Sequence, residues 1–299
     1  MMKTAQTTLS VILLLAIVAG CGPARRITAL HEEVEAEYNA GNYRIALELY
    51  EEIIELEKSR NREADGETWY RAGISAWETG HRNKAIEYLV QAGRKDTSGE
   101  RGYYILATAY REIDNLSLEI TNLENYIDNY PGGDKADEMR IRLFDTYLES
   151  NNTDRALELW EDLEELAPGN AGLLESWYEL NRHLGRDGKL KDIARDLYNA
   201  DNTNLTALEY LGDHYFWLAE NRYQEEFTAY EQNQTRAQYR QLLNALETIN
   251  ENFRISRRYF EKLWEIDPRP SYAEYLRNIY LRFGNEERAE YYHRRSLEP

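Results

Sequence analysis

The spacing of residues in this 299-residue chain predicts an all-α fold, an α-solenoid of about seven helix-turn-helix repeats with one long-helix hairpin insertion in the sixth. Three observations carry the prediction. A bulky residue and a second, mostly small residue recur sixteen apart, at Leu30/Ala46, Trp69/Ala85, Tyr103/Glu119, Arg140/Ala156, Trp177/Ile193 and Ala273/Ala289. Pro131, Pro168 and Pro268, three of the six prolines, fall at one phase of that spacing, where a helix must end because proline cannot continue it. Glycine and proline number only 17 and 6, fewer than sheets joined by tight turns need.

The repeats follow in order along the chain. The first carries Gly41-x-Tyr43-x-x-Ala46-x-x-x-Tyr50, and Ala46, Leu49, Tyr50, Ile53 and Leu56 keep the three-and-four spacing of one apolar helix face. The second reads Trp69-x-x-Ala72-Gly73, then Gly80, then Ala85-x-x-x-Leu89. Leu106, Ala107 and Tyr110 follow Tyr103; Leu143 and Tyr147 follow Arg140; Leu180 and Leu184 follow Trp177; Leu211, Gly212 and Tyr215 follow Leu208. Small residues such as Gly73, Gly212, Ala46, Ala85 and Ala156 let paired helices approach. Trp69, Tyr110, Tyr147 and Trp160 are the large residues expected to fill the space between repeats. Glu119, Arg140 and Ile193 depart from this division of sizes. A single repeat cannot bury its apolar face alone, so the units must stack.

The sixth repeat breaks the spacing. Leu208 finds its counterpart only at Ser256, 48 residues on, with Phe260, Leu263 and Pro268 after it, so 32 residues are extra. The added stretch, 219–252, has no Pro or Gly, and Leu242, Leu246, Ile249 and Phe253 recur at helical spacing. Two lengthened helices turning near Glu231 to Thr235 are expected, either as an arm for a partner or as an elongation packed on its neighbour.

These residues resemble the tetratricopeptide repeat, with its Trp-x-x-Leu-Gly-x-x-Tyr, its Ala-x-x-x-Phe and its closing proline. The resemblance covers nearly all of residues 27 to 297 and implies a right-handed solenoid whose first helices line a concave groove. Carried onto this chain, the repeat phase marks Tyr70, Ile74 and Trp77, then Tyr104, Thr108 and Arg111, then Ile141 and Asp145, then Tyr178 and Arg182, then Tyr210, Asp213 and Phe216 as groove residues. Aromatic and Arg side chains dominate interface energetics, so such a groove suits a helical or extended peptide. The alternative is that several of them cover the core between repeats. The Lys and Asn with which chaperone-type relatives clamp a C-terminal carboxylate are missing, which argues against that specificity.

The first residues carry an address. Lys3 precedes an apolar run from Leu9 to Val18, too short to span a bilayer and laid out as a secretory signal. The run ends Val18-Ala19-Gly20-Cys21, which resembles a bacterial lipobox. That resemblance implies a signal peptide over 1–20, lipidation of Cys21, a linker over 21–29 and the solenoid over 30–299, held at a membrane by acyl chains. Gly22 in place of an Asp leans towards an outer-membrane address facing the periplasm. Cys21 is the sole cysteine, so no intrachain disulfide or CxxC pair can form.

Charge and motifs narrow the chemistry. A net charge of −18 repels nucleic acid, so no DNA or RNA partner is expected. The charge is uneven: residues 32–67 hold twelve acids and four bases, whereas 254–295 hold ten bases and seven acids. The basic stretch is either a face for an acidic partner or lipid head groups, or a solvated helix face. His31, His81, His183, His214 and His293 fall in separate repeats and none lies in His-Glu-x-x-His, so no metal site is expected. Gly185-Arg186-Asp187-Gly188-Lys189 fails as a phosphate loop because Leu190 follows the lysine, and reads as a turn between helices. No Gly-x-Ser-x-Gly is present. Neither catalysis nor a cofactor is expected.

The expectation is a membrane-anchored adaptor that binds envelope proteins or peptides. The segment Asn129-Tyr130-Pro131-Gly132-Gly133-Asp134-Lys135-Ala136-Asp137 is similar to repeat junctions of the lipoprotein component of the β-barrel assembly machinery, which implies a role in outer-membrane assembly or secretion. The repeats and the insertion depart from that family's usual five. The other reading is a glycan- or small-ligand-binding lipoprotein, for which a deep aromatic pocket would be the mark.

Overall fold

Apolar residues at helical spacing, broken every dozen or so residues by a glycine, asparagine or proline, give a chain of helices and short turns. The structure is a computed structural model and describes residues 23–297; the expected leader and Cys21 lie outside the described residues. Among the described residues there are fourteen helices and no strand. They are α1 (Pro23–Asn39), α2 (Tyr43–Ser59), α3 (Gly66–Glu78), α4 (Arg82–Gly93), α5 (Glu100–Glu112), α6 (Leu116–Asn129) and α7 (Ala136–Glu149). Then come α8 (Thr153–Leu163), α9 (Ala171–His183), α10 (Asp187–Ala200), α11 (Leu205–Gln232), α12 (Arg236–Ile266), α13 (Pro270–Arg282) and α14 (Glu286–Ser296). They group into two compact units, one ending at Asn151 and one beginning at Asn152.

In the first unit α1 pairs with α2, α3 with α4 and α5 with α6, and each pair touches the next helix in the chain. In the second, α9 pairs with α10, α11 with α12 and α13 with α14. This is the all-α helix-turn-helix fold that the spacing predicts, with the long hairpin in its expected place. One turn recurs within the pairs. At Gly41, Gly80, Asp114, Gly185 and Gly284 the backbone takes a positive φ. There the N–H of that residue donates three residues back and the next N–H donates five back, as in Gly80 to Trp77 and His81 to Ala76 at 3.0 and 2.8 Å. The paired bonds satisfy carbonyls the helix end leaves open, and glycine suits the left-handed position at little cost. Asp114 holds it without being glycine, as short polar residues can. Gly185 is accordingly the turn between α9 and α10. Pro131, Pro168 and Pro268 all lie just beyond the ends of α6, α8 and α12.

The residues sixteen after each opening position are all buried: Ala46, Ala85, Glu119, Ala156, Ile193 and Ala289, as is Ser256 in the stretched repeat. Within each unit, all of them but Ala156 sit where paired helices cross. Gly73 on the facing helix shows how tight the crossing is, since a Cβ there would come within 2.6 Å of the Leu89 side chain. At Gly212 the same test finds the Phe260 ring at 3.2 Å. Glu119, the one carboxylate at a crossing, is fully buried and solves its charge through the next helix. Arg142 on α7 reaches it at 2.8 Å and also donates to the Ala107 carbonyl and to Thr108 Oγ1 at 2.7 and 3.2 Å. The departure from the size pattern at Glu119 is therefore an ion pair between hairpins.

Many of the 24 tyrosines serve the same end. Their rings fill the gaps between helices while their hydroxyls donate to carboxylates of a neighbouring helix: Tyr88 to Glu51 at 2.9 Å, Tyr147 to Glu124 at 2.7 Å, and also Tyr126 to Glu100, Tyr272 to Glu209 and Tyr280 to Glu261. A buried hydroxyl needs such a partner.

The long hairpin consists of α11, with 28 residues, and α12, with 31, roughly 42 and 46 Å of helix at 1.5 Å per residue. It turns at residues 233–235, where the Thr235 side chain accepts from the Gln238 N–H at 3.2 Å. Ala219, Leu242, Ile249 and Phe253 are buried along it. Buried Glu226 is held by Arg222 and by Gln241 Nε2, the latter at 2.8 Å.

Candidate partner-binding surfaces

The expected groove residues divide into three groups. Ile74 and Tyr178, at 1 and 5% exposure, pack in the core and present no side chain to a ligand, whereas Phe216, at 6%, packs in the core and lines the floor of a groove between α11 and α13. For Ile74 and Tyr178 this corrects the assignment to the groove: the next repeat covers them. A second group is half-buried and fills between helices. Tyr70 lies against α5 so closely that a Cβ at Gly102 would meet its ring at 2.9 Å, and burial pushes its hydroxyl up to about 12. Trp77 and Tyr104 pack against the buried cluster of Ile74, Leu89, Ile105, Leu106 and Tyr110. Ile141 and Asp145 are also half-buried.

The third group is polar and accessible. In the first unit, Thr108 and Arg111 gather around the Glu119–Arg142 pair. Arg111 is exposed and stands 3.5 Å from Glu119 and 3.8 Å from Glu149. Arg142, the central cation of this cluster, is a residue that sequence reasoning missed. In the second unit, exposed Arg182 pairs with Glu179 on its own helix. Tyr210 meets Tyr178 edge-on at 5.7 Å and stacks on His214 at 6.0 Å. Burial first, then the Lys191 ammonium, holds the His214 imidazole below its ordinary range. Asp213 accepts from Trp217 Nε1 at 3.1 Å and from the Tyr275 hydroxyl. Burial and that carboxylate push the Tyr275 hydroxyl up to about 12.

Beside this line lies a groove of about 520 Å³, lined by Phe216, Trp217, Glu220, Asn278, Leu281 and Arg282. Trp217 on α11 and Leu281 on α13 are 47 and 49% exposed. Arg282 holds Glu220 at 2.6 Å and lies 4.0 Å from the Tyr223 ring centroid, so the polar pair is fixed and the two apolar side chains flank it. Neither Trp217 nor Leu281 was among the expected residues. The signal for Leu281 was present, since Asn278 and Leu281 stand five and eight after Ala273, the phase that marks Asp213 and Phe216 after Leu208; Trp217 lies one residue off that phase.

A second, larger cleft of about 930 Å³ opens among α8, α9 and α10. Its apolar wall includes Leu157, Leu174, Ile193 and the tryptophans Trp160 and Trp177, which stack at 4.0 Å with their planes 3° apart. Glu161, Glu164, Asp192 and Asp196 stand against Arg186 and Lys189 around it.

Most of the basic C-terminal stretch is partnered, with Arg258 and Arg277 among the members for which no carboxylate partner is seen among the described residues. Arg254, Arg257, Arg269, Arg282 and Arg294 each pair with a carboxylate, Lys262 donates to Asn202, and Arg288 lies over Tyr280. Among the described residues no group of three or more His, Cys, Asp or Glu is placed to hold a metal ion. Among them, too, no helix is long and apolar enough to cross a membrane.

No family model matches the chain. No curated protein matches it. Its fold is similar to solved structures. One is YrrB, a TPR protein with an unusual peptide-binding site, at 16% identity and a TM-score of 0.47 over 59% of this chain and 87% of YrrB. Another is MamA, at 20% identity and 0.44 over 59% of this chain and 92% of MamA. A third is a candidate protein-binding protein from Bacteroides ovatus, at 18% and 0.47 over 75% of this chain and 99% of that one. At such identities and TM-scores, the fold assignment rests on this chain's own hairpins, turns and crossings.

Proposed function

We propose that this protein is a lipid-anchored interaction scaffold of a bacterial envelope, non-enzymatic, tied to the outer membrane through Cys21 and binding a protein or peptide partner in assembly or secretion. The groove between α11 and α13 is the observation that carries the binding half of this reading. Two large apolar side chains, Trp217 and Leu281, stand nearly half exposed on either side of a fixed ion pair. A tryptophan so placed is the residue type that concentrates binding energy when a partner covers it, and a fixed polar pair sets register. The Val18-Ala19-Gly20-Cys21 sequence supports the anchor.

The test is a crosslinked pull-down of the lipidated protein from native membranes, run beside Cys21→Ser and Trp217→Ala. A defined partner lost on Trp217→Ala, and weakened when Cys21→Ser releases the chain from the membrane, is the expected result. The same proteins recovered from wild type and Trp217→Ala alike would remove the groove from the proposal.

A second reading, binding of a glycan or small ligand, is favoured by one observation, the stacked Trp160–Trp177 pair in the cleft of about 930 Å³. Apolar clefts of this size with a few polar groups suit small ligands. Titration of neutral glycans against tryptophan fluorescence checks it. Saturable quenching abolished by Trp160→Ala supports the reading; no saturable change sets it aside.

A further inference from the structure

At the turn end of the long hairpin the two helices differ in charge: α11 ends with Glu225, Glu226 and Glu231, whereas α12 begins without an acid. In a chain of 54 acids, residues 232–246 read Gln-Asn-Gln-Thr-Arg-Ala-Gln-Tyr-Arg-Gln-Leu-Leu-Asn-Ala-Leu, without one Asp or Glu. The only charges there are Arg236 and Arg240. Among the described residues no carboxylate pairs with either, a state they share with Arg258 and Arg277, whereas the arginines at 254, 257, 269, 282 and 294 are all paired. Arg236 is the first residue of α12, where the helix dipole disfavours a cation, and Arg240 stands one turn further on. No carboxylate among the described residues fixes either, and the dipole works against Arg236.

Their placement on the helix is ordered. Arg236, Tyr239, Arg240 and Leu243 stand at i, i+3, i+4 and i+7, which is one stripe of a helix. All four are exposed, Tyr239 and Leu243 at 49 and 46%. The buried side of this segment is elsewhere on the helix, at Leu242 and Ile249. The stripe therefore alternates a cation with an apolar or aromatic side chain, facing outward. A neighbouring hollow of about 550 Å³ is lined by Arg222, Ala237, Arg240, Gln241, Asn244 and Ala245 and carries no acid either.

We propose that this stripe docks the hairpin tip on an anionic lipid surface. Arginine meets phosphate head groups, while tyrosine and leucine enter the interface beside them. A lipid surface fits better than an acidic polypeptide because the apolar members have no hollow of their own to receive a partner side chain. They stand on an outward stripe, where a deformable head-group layer can close around them. The inference needs neither Cys21 nor the α11–α13 groove, so it stands apart from the function proposed above.

The experiment uses the full chain carrying Cys21→Ser and Ala237→Cys, which leaves one thiol, beside the stripe and outside it, for an environment-sensitive fluorophore. Vesicles of phosphatidylcholine are compared with vesicles containing phosphatidylglycerol. The expected result is a blue shift on the anionic vesicles only, weakened by salt. Arg236→Gln with Arg240→Gln should lower the vesicle partition coefficient read from the label roughly 30-fold, at about fivefold per arginine. Binding through the apolar leader would bring the chain to both vesicle types without moving the tip label. An unmoved label on anionic vesicles, with helical circular dichroism intact, overturns the proposal. So does a shift produced by polyglutamate and not by vesicles, which would assign the stripe to an acidic protein.

Discussion

The short hairpin α3–α4 and the long hairpin α11–α12 are built around the same crossing and differ in everything beyond it. Both place a glycine on the first helix, Gly73 or Gly212, against a large side chain of the second, Leu89 or Phe260. Both bury a small residue of the second helix at the repeat phase, Ala85 or Ser256. Ser256 adds a hydrogen bond to the Gly212 carbonyl at 2.8 Å, which closes the crossing across 44 residues of sequence. The lesson is that the crossing, not the length of the helices, makes the repeat. Once two helices are fixed at one point they can be extended past it, and the extension is free to carry chemistry that stacking forbids elsewhere. The α5–α6 hairpin extends the comparison: Glu119 occupies the crossing because Arg142 of the following helix neutralises it.

Four expected outcomes test how the crossings differ. The largest is expected at Glu119→Ala. It strands Arg142, whose side chain is only 15% exposed, and should cost about 3–5 kcal/mol in chemical denaturation. Adding Arg142→Met should recover most of the loss. A single variant as stable as wild type would show that the pair is incidental to the crossing. Next, Gly73→Ala should lose about 1–2 kcal/mol. Overpacking against Leu89 costs about 1–3 kcal/mol and the gain in helix propensity returns up to about 1.

The third outcome is a pH dependence. The hydroxyls of Tyr126, Tyr275 and Tyr280 are pushed up to about 12, by burial first and by a carboxylate partner second. An unfolded tyrosine ionises near 10 (about that value). The stability these groups contribute is therefore fully present below pH ~10 and is lost as pH rises towards 12. Tyrosinate absorbance followed with circular dichroism should show a late-titrating class whose ionisation coincides with unfolding. If all tyrosines titrate together near 10 with the helices intact, the tyrosine–carboxylate contacts do not hold the repeats. The smallest effect is expected at Gly212→Ala, within about 1 kcal/mol of wild type, because the Phe260 ring at 3.2 Å needs only a small shift and the propensity gain offsets it. Equal effects at Gly73 and Gly212 would mean that the two crossings are equally tight.

Much of the fold was legible in the sequence, and the candidate site much less so. The six spacings of sixteen, the proline phase and the gap from Leu208 to Ser256 locate the hairpins, because a helix repeats its contacts at fixed intervals and a crossing tolerates only certain volumes. The same phase locates the faces of first helices but not which residues on them reach solvent. Ile74, Tyr178 and Phe216 share that phase and are buried, while Trp217, one residue beyond Phe216, is open.

What the sequence determined by itself was therefore periodic and local: where helices run, where glycine or proline stops them, and where one hairpin is 32 residues too long. Only the tertiary structure decided which groups remain available. Arg282 meets Glu220 across 62 residues and Arg142 meets Glu119 across 23, whereas Arg236 and Arg240 meet no carboxylate among the described residues. Composition left the basic C-terminal stretch open as a partner face or a solvated one, and pairing neutralises five of its arginines. The physical reason is that periodicity is a property of one helix, while exposure and charge neutralisation are properties of what packs against it.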